Sequence, residues 1–258
     1  MPAHIPRKRF GQHFLVDQGV ISSIVEAIHP LPNDRLVEIG PGLGAITRPL
    51  LERIPSLMAV ELDRDVVQRL QKQFLPERLQ LFEADALQFD FATLGPQLRI
   101  VGNLPYNIST PLLFRFADLA SGMRDGHFML QKEVVDRMVA TPRSSDYSRL
   151  SVLLQWHFHM ELLIDVPPEA FDPPPKVDSA VVRLIPRERG AQLEVNEHNL
   201  RRVLSAAFSQ RRKMLRSTLK PLFSEKELED LSVVPTARAE ELSLEDFVRL
   251  ARTLTLNG

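Results

Sequence analysis

Short apolar segments rich in β-forming residues alternate with segments of helical spacing along the first 187 residues of this chain. Such alternation is typical of a mostly parallel sheet covered by helices on both faces, because a crossover between parallel strands usually contains a helix. The predicted strands span 35–39, 56–62, 79–83, 98–102, 127–132, 160–166 and 180–186. The predicted helices between them span 20–29, 45–53, 65–74, 111–119, 134–140 and 148–157.

The last two predicted strands are joined in a different way from the others. A proline-rich stretch from Pro167 to Pro175 links them and leaves no room for a crossover helix. Because short connections join antiparallel strands, we expect the final strand to run antiparallel to its neighbours. The predicted fold is therefore an α/β domain with a seven-stranded, mostly parallel sheet whose last strand is antiparallel.

The character of the sequence changes after Pro186. The segment 187–190 is charged and ends in glycine, and the remainder has apolar residues at spacings of three and four. We predict a boundary near residue 187, with an α/β domain over 1–187 and a small all-α domain over 188–258. The predicted helices of the second domain span 199–208, 212–219, 225–231 and 244–253, and Ser243 with Asp246 predicts a capping box for the last.

The composition excludes several classes of protein. Zero cysteine excludes disulfides, thiolate metal sites and a cysteine nucleophile. No apolar run reaches the roughly 18 residues of a membrane span, and no apolar h-region of a signal peptide follows the basic N-terminus. We therefore expect a cytoplasmic protein. His157 and His159 alternate as metal ligands on a strand would, but no third ligand is placed nearby, so we expect no metal site.

The net charge of −1 conceals a segregation of charge near the C-terminus. Seven Arg or Lys and no acid lie between His198 and Ser224, whereas eight acids and two basic residues lie between Glu225 and Asp246. A concentrated basic block in a nearly neutral chain favours a directed contact with a polyanion. The alternative is a solvated helix face.

A glycine-rich turn follows the predicted strand 35–39. Gly40, Gly42 and Gly44 lie between a strand and a helix, which is the context in which glycines indicate a ligand site. The spacing is G-x-G-x-G, with Pro41 inside it, and not the G-x-G-x-x-G of dinucleotide sites. This difference weakens the case for a pyrophosphate at the helix N-terminus.

Acids end the next two predicted strands. Glu61 lies 21 residues after Gly40 and could accept hydrogen bonds from both hydroxyls of an unphosphorylated ribose. Asp85 could accept a hydrogen bond from an adenine amine. A nucleoside cofactor without phosphates, S-adenosylmethionine, therefore fits these residues better than a nicotinamide cofactor.

The tetrapeptide Asn103-Leu104-Pro105-Tyr106 follows the predicted strand 98–102. The side-chain oxygen of Asn103 and the carbonyl of Leu104 could hold the hydrogens of an adenine amine and aim its lone pair at a sulfonium methyl. Pro105 fixes the bend, and Tyr106 offers a face on which a base stacks. Methyl transfer by in-line displacement would then depend on positioning, with no metal and no obligate general base.

Each of these features also has a purely structural interpretation. The glycines could form only a tight turn, and Glu61 and Asp85 could be solvated acids at strand ends. The tetrapeptide could be a strand-to-helix turn, because Thr110 suits an N-cap and Pro111 suits the first helical position. That interpretation does not explain why an amide and an aromatic ring flank the proline. Three such features at successive strand ends favour a ligand site, since open α/β sheets bind ligands at that edge.

With these motifs in place, the chain resembles the small-subunit (16S-type) ribosomal RNA adenine dimethyltransferases, the KsgA/RsmA family, nearly end to end. Three further segments carry the resemblance: Arg-Phe-Gly-Gln-His-Phe-Leu at 9–15, the proline-rich loop at 171–179 and the basic segment at 208–216. The resemblance implies a Rossmann-like, class I S-adenosylmethionine-dependent methyltransferase domain and a helical RNA-binding domain. It also implies methylation of the N6 amines of two adjacent adenosines in a 3′-terminal hairpin of small-subunit rRNA, with a role in small-subunit biogenesis.

The resemblance also implies roles for individual residues. The implied catalytic residues are Asn103, Leu104, Pro105, Tyr106 and Phe171. The implied cofactor-binding residues are His13, Leu15, Gly40, Glu61, Asp85 and Asn103. The implied RNA-binding residues, mainly for phosphates, are Arg211, Arg212, Lys213 and Arg216. Phe171 would pack on the face of the target adenine opposite to Tyr106. His13, where the family more often has Asn, would contact the methionine end of the cofactor together with Leu15.

Other functions are weighed against this one. The nearest alternative enzyme is a large-subunit rRNA adenine methyltransferase of the antibiotic-resistance type. The proline-rich loop and the Arg-Arg-Lys segment favour the small-subunit group over it. A DNA adenine methyltransferase would carry a DNA target-recognition insert, which this sequence lacks. From a different class, the chain could act mainly as an assembly factor that binds the immature subunit. We expect a monomer with no membrane partner.

Overall fold

The computed structural model describes residues 13–188, 190 and 193–256. These residues form two compact units. The first holds the described residues up to Val135 together with His159–Pro186, and the second holds Asp136–Phe158 and the described residues from Arg187 onward. Residues 136–158 thus group in space with the C-terminal helices. The predicted domain boundary near residue 187 stays a prediction.

The first unit is built on a seven-stranded sheet with the strand order β4-β3-β2-β5-β6-β9-β7. The strands of the chain are β1 (Phe14–Leu15), β2 (Arg35–Ile39), β3 (Leu57–Glu61), β4 (Leu79–Glu83), β5 (Leu98–Asn103), β6 (Met123–Gln131), β7 (Phe158–Val166), β8 (Phe171–Asp172) and β9 (Ser179–Pro186). Strands β4, β3, β2, β5 and β6 pair in parallel, and β9 pairs with β6 antiparallel. The predicted mixed sheet with an antiparallel last strand is confirmed.

Helices alternate with strands along this part of the chain, as the sequence pattern predicts. They are α1 (Gln18–Ile28), α2 (Thr47–Arg53), α3 (Arg64–Gln73), α4 (Ser109–Asp118) and α5 (Lys132–Val139), of which the last begins in the first unit and ends in the second. The first five residues of β5 are all buried, as expected of a strand with both of its faces covered. Gly102 allows β5 to lie close to β2, because a Cβ there would be 2.5 Å from the carbonyl oxygen of Ile39.

Two very short strands, β1 and β8, form a separate antiparallel ribbon. Phe14 pairs with Asp172 and Leu15 pairs with Phe171. The amide of Val16 extends the ribbon by donating a 2.8 Å hydrogen bond to a carbonyl oxygen just before β8. The ribbon therefore ties the N-terminal segment to the proline-rich loop, which lies more than 150 residues later in the chain.

A buried ion-pair network lies where β5 and β6 begin. Nη1 of Arg99 is 2.5 Å from Asp34, and Nη2 of Arg99 is 2.9 Å from Asp125. His127 is buried next to this network, with Nδ1 3.9 Å from Asp125. Burial lowers the pKa of His127 to about 4, because the uncharged ring is favoured away from water. These charges are at the amino ends of the strands, so they lie at the sheet edge opposite to the glycine-rich turn.

The second unit is helical in its C-terminal part. Its helices are α6 (Arg149–His157), α7 (Glu197–Ala207), α8 (Leu215–Thr218), α9 (Glu225–Asp230) and α10 (Leu244–Leu256). Helix α10 packs against α6 and α7. The predicted capping box of α10 is confirmed, because the amide of Ser243 donates to Asp246 Oδ2 and the amide of Asp246 donates to Ser243 Oγ. Among the described residues, none of the helices combines the length and the apolar character that crossing a membrane requires.

Candidate active site

A cavity of about 900 Å³ lies at the carboxyl ends of β2, β3, β4 and β5. Open α/β sheets bind their ligands at this edge. The cavity brings together the predicted site residues of the N-terminal segment, the glycine-rich turn, the strand-end acids and the tetrapeptide. Those lining it are His13, Leu15, Gly40, Glu61, Asp85, Asn103, Leu104, Pro105 and Tyr106. Residues 9–12 of the N-terminal segment lie outside the described part of the chain.

The glycine-rich turn has a backbone conformation that residues other than glycine rarely adopt. Gly40 has φ of +63° and Gly42 has φ of +54°, which is the left-handed region. The amide of Gly40 donates a 2.9 Å hydrogen bond to the carbonyl of Val60, so the turn is anchored to the end of β3. A ligand in the cavity therefore meets backbone rather than side chains along this wall.

The two predicted strand-end acids are held in place by backbone amides. Glu61 Oε1 accepts a 2.8 Å hydrogen bond from the amide of Asp63, and Asp85 Oδ1 accepts a 2.9 Å hydrogen bond from the amide of Leu87. Burial raises the pKa of Glu61, while hydrogen bonds from backbone amides oppose that rise. A carboxylate offers about four lone-pair sites, so both acids keep capacity to accept hydrogen bonds from a ligand.

Glu38 is a cavity residue that the sequence reasoning missed. It is 2% exposed, and its Oε2 accepts a 2.6 Å hydrogen bond from the hydroxyl of Thr47. Burial, together with the nearby charge of Glu61, raises the pKa of Glu38 to about 7, although the hydrogen bond from Thr47 opposes that rise. The available signal was an acid at the second-last position of a strand that is otherwise apolar after Arg35, directly before the glycine turn.

The tetrapeptide is fixed by contacts on three sides. Asn103 Nδ2 donates to the carbonyl oxygen of His13 at 3.4 Å, which leaves the Asn103 side-chain oxygen available as an acceptor. The amide of Leu104 donates to Met129 on β6 at 3.0 Å. The hydroxyl of Tyr106 is 2.6 Å from that of Ser179, and burial raises the pKa of this phenol. The acceptors and the aromatic ring are therefore positioned before any ligand binds.

The helix after the tetrapeptide begins earlier than the sequence predicts. Helix α4 starts at Ser109, so the predicted N-cap at Thr110 and first position at Pro111 are wrong. Ser109 Oγ donates to the carbonyl of Tyr106 at 3.1 Å, which fixes the start of the helix. Proline is tolerated in the first turn, where its missing amide hydrogen has no helical acceptor.

Phe171 does not line the cavity. It pairs with Leu15 in the ribbon and lies in the hydrophobic core at 3% exposure. Moving this side chain into the cavity would expose apolar surface at a cost of about 1.5–3 kcal/mol. Stacking of Phe171 on a base stays a prediction, and this arrangement of the chain does not favour it. The ring that faces Tyr106 is instead that of His13, at a centroid distance of 5.9 Å and an interplanar angle of 25°.

The four predicted RNA-binding side chains are exposed in the second unit, between α7 and the end of α8. Arg211 is 3.5 Å from Glu240 and also donates to the carbonyl of Ser145. Arg216 lies 4.0 Å from Glu225. These exposed ion pairs contribute little to stability, so both guanidinium groups can exchange them for phosphate contacts.

Comparisons with known proteins agree with the geometry. Residues 3–256 match the profile of the family described as ribosomal RNA adenine dimethylase. Over 244 residues the chain is 60% identical to ribosomal RNA small subunit methyltransferase A of Thiobacillus denitrificans, covering 95% of this chain and 96% of that protein. It is 56% identical to the protein of the same name from Bordetella pertussis, covering 100% and 97%.

Two solved structures are also similar to this chain. The first is a dimethyladenosine transferase from Plasmodium falciparum, with a TM-score of 0.81, 28% identity and coverage of 95% of this chain and 98% of that one. The second is the 23S rRNA methyltransferase ErmE, with a TM-score of 0.71, 25% identity and coverage of 94% and 99%. The mixed seven-stranded sheet followed by a helical region is therefore shared with known rRNA methyltransferases.

Proposed function

Since this chain belongs to the ribosomal RNA adenine dimethylase family, we propose that its cavity is the active site of an enzyme that dimethylates adenine N6 in small-subunit (16S) rRNA. The methyl donor is S-adenosylmethionine, and the reaction is part of small-subunit biogenesis. One observation carries the assignment of the site. Asn103, whose side-chain nitrogen donates to the carbonyl oxygen of His13, lines the same cavity as Glu61 and Asp85.

The residues present fit S-adenosylmethionine. A cavity of about 900 Å³ is at the upper end of the range for cofactor-sized ligands. Glu61 would hold the ribose hydroxyls, Asp85 would accept from the adenine amine, and the backbone at Gly40 would lie along the methionine part. When bound, the cofactor supplies an electrophilic methyl group on a positively charged sulfur.

The chain's own residues prepare the amine that is methylated. An adenine amine is a poor nucleophile, because its lone pair is delocalised into the ring. Asn103 Oδ1 and the Leu104 carbonyl would each accept one of its hydrogens and so turn the lone pair toward the methyl group. Both are neutral acceptors, so they orient the amine without removing a proton. The acceleration then comes from preorganised positions, which fits the hydrogen bonds that fix Leu104 and Tyr106.

The finer specificity is part of the same proposal. The target would be two adjacent adenosines in the 3′-terminal hairpin of the rRNA, each methylated twice. The exposed basic segment at 208–216 would bind the phosphates of that RNA. Since phosphate contacts carry no sequence information, the choice of base would rest on the cavity around the tetrapeptide.

An Asn103→Ala variant tests the proposal. Loss of one oriented acceptor should lower the rate of methylation by at least about 100-fold, while binding to unmodified small subunits persists. Asn33→Ala, at an exposed turn next to the opposite sheet edge, is the matched control and should methylate normally. Equal methylation by the two variants would contradict the assignment of Asn103. Loss of subunit binding by Asn103→Ala would contradict the division between catalytic and binding residues. Normal subunit assembly supported by Asn103→Ala without methylation would favour the assembly-factor alternative.

A further inference from the structure

Ser179 carries a fully buried hydroxyl at the last position of the proline-rich loop. The residue is 0% exposed and begins β9, where it pairs with Gln131 at the end of β6. A hydroxyl in such a place needs a hydrogen-bond partner, because an unpaired polar group away from water is costly. Its Oγ lies 2.6 Å from the hydroxyl of Tyr106, so the end of the loop meets the end of the tetrapeptide.

Strand β6 holds the backbone of Ser179 in place. Gln131 pairs with Ser179, and the amide of Lys132 donates a 2.9 Å hydrogen bond to the carbonyl of Asp178. The same strand also holds the tetrapeptide, because the carbonyl of Met129 accepts a 3.0 Å hydrogen bond from its second residue. The Ser179 hydroxyl is therefore at a fixed position relative to the tetrapeptide.

The side chain of Tyr106 is held at both of its ends. At the backbone end, its carbonyl accepts a 3.1 Å hydrogen bond from Ser109 Oγ. At the far end, its phenol meets Ser179. A hydrogen bond from the para position to a fixed partner opposes rotation of the ring into another rotamer. The ring is half-buried and lines the cavity, so its accessible face keeps one orientation before a base arrives.

We infer that Ser179 is a positioning residue for methyl transfer, which acts through Tyr106 by fixing the ring on which the target adenine stacks. This inference rests on the proposed function. A ring that is already oriented raises the rate, because the adenine amine then meets its acceptors without further ordering of the site. The alternative is that the two hydroxyls only satisfy each other inside the fold, and the experiments below separate the two.

Ser179→Ala tests the inference through the kinetics of methylation. The single-turnover rate on unmodified small subunits should fall by about 2- to 12-fold, which is the worth of one neutral hydrogen bond. The subunit concentration that gives half of the maximal rate should be unchanged, because the RNA would be held by phosphate contacts at 208–216. Ser151→Ala removes an equally buried hydroxyl in the second unit and is the control, with a wild-type rate.

A double-mutant cycle shows whether the effect passes through Tyr106. Tyr106→Phe removes only the phenolic oxygen and should lower the rate by the same factor as Ser179→Ala. The double variant should be no slower than either single variant, because both substitutions remove the same hydrogen bond. Two factors that multiply in the double variant would overturn the inference, as would a wild-type rate in Ser179→Ala.

A spectroscopic measurement reports the hydrogen bond itself. The chain has two tyrosines, and the hydroxyl of Tyr147 makes no hydrogen bond within the described residues. Tyr147→Phe therefore leaves Tyr106 as the single tyrosine, and fluorotyrosine at that position lets ¹⁹F NMR follow the ionisation of its phenol. Burial raises the pKa of Tyr106, and the hydrogen bond with Ser179 opposes that rise. Ser179→Ala should thus raise the pKa of Tyr106 further, and Ser151→Ala should not.

The outcomes separate the inference from the proposed function. A lower rate in Ser179→Ala with an unchanged pKa of Tyr106 would overturn the inference in favour of a general loss of packing. A raised pKa with an unchanged rate would also overturn it, since the hydrogen bond would then have no part in methyl transfer. Absence of methylation by the wild type, in contrast, would overturn the proposed function on which the inference rests.

Discussion

The buried acid at the end of β2 gives a prediction about stability and pH. Burial raises the pKa of Glu38 in the folded chain from its ordinary value of 4.5 to about 7. Below pH 4.5 the carboxyl is protonated in both the folded and the unfolded chain, and the free energy of unfolding has its full value. Between pH 4.5 and 7 the unfolded chain releases this proton while the folded chain keeps it, so the free energy of unfolding falls as the pH rises and levels off above pH 7. The difference of 2.5 pKa units corresponds to about 3 kcal/mol.

Glu38→Gln should remove this dependence on pH. Glutamine is uncharged at all pH values and its side-chain oxygen can still accept from Thr47. We expect the variant to be more stable than the wild type at pH 8 by up to about 3 kcal/mol. For a chain of this size that raises the melting temperature by about 6–12 °C. At pH 4.5 the two proteins should melt at similar temperatures.

Thermal unfolding followed by circular dichroism at a series of pH values between 4.5 and 8.5 measures the effect. Glu77→Gln, which removes the same charge at an exposed position, is the control and should follow the wild type. Parallel pH profiles of the wild type and Glu38→Gln, or a lower melting temperature of that variant at pH 8, would refute the reasoning. A buried acid kept against stability at a ligand cavity indicates a functional role.

Three further substitutions test the packing of the sheet. Arg99→Met removes the arginine partner of Asp125 and one of the two arginine partners of Asp34. It should cost about 3–5 kcal/mol in a denaturant melt, whereas Arg64→Met, from an exposed pair, should cost at most about 1 kcal/mol; equal losses would contradict the buried network. The wild type should lose up to about 3 kcal/mol of stability as the pH falls from 6.5 through 4, because the unfolded chain protonates His127 before the folded chain does. His127→Gln should abolish this loss. Urea midpoints at pH 4.5 and 7.5 measure it, and the same difference between the two midpoints in the variant as in the wild type would contradict the prediction. Gly102→Ala places a methyl group 2.5 Å from a backbone oxygen of β2 and should cost about 1–3 kcal/mol and slow methylation. Gly122→Ala, which has open space, should do neither.

The sheet was predictable because its strands are short, buried and bounded by turns. Strands 35–39 and 79–83 are predicted with the bounds that the structure has. The start of β6 was missed, since Arg124 and Asp125 make it polar and its pairing with β5 supplies the strand hydrogen bonds. The ribbon of β1 and β8 was missed because each strand has only two residues and each is stabilised by a partner far away in the sequence.

The candidate site shows the same division between local and distant information. The cavity residues at strand ends follow from the parallel sheet, which places all carboxyl ends at one edge. The orientation of Phe171 does not follow from its neighbours, because it depends on which side of the ribbon faces the core. Pairing with Leu15 decides that side, and the same pairing brings His13 to Tyr106. Glu38 was missed because its burial depends on packing against α2.

The most direct test of the central claim is transfer of a labelled methyl group from S-adenosylmethionine by the purified protein. The acceptors are small subunits that lack the modification, mature small subunits and free large subunits, measured side by side. We predict incorporation only into the unmodified small subunits, with the label recovered as N6-dimethyladenosine. Incorporation into large subunits, or none into unmodified small subunits by a protein that binds S-adenosylmethionine, would contradict the account.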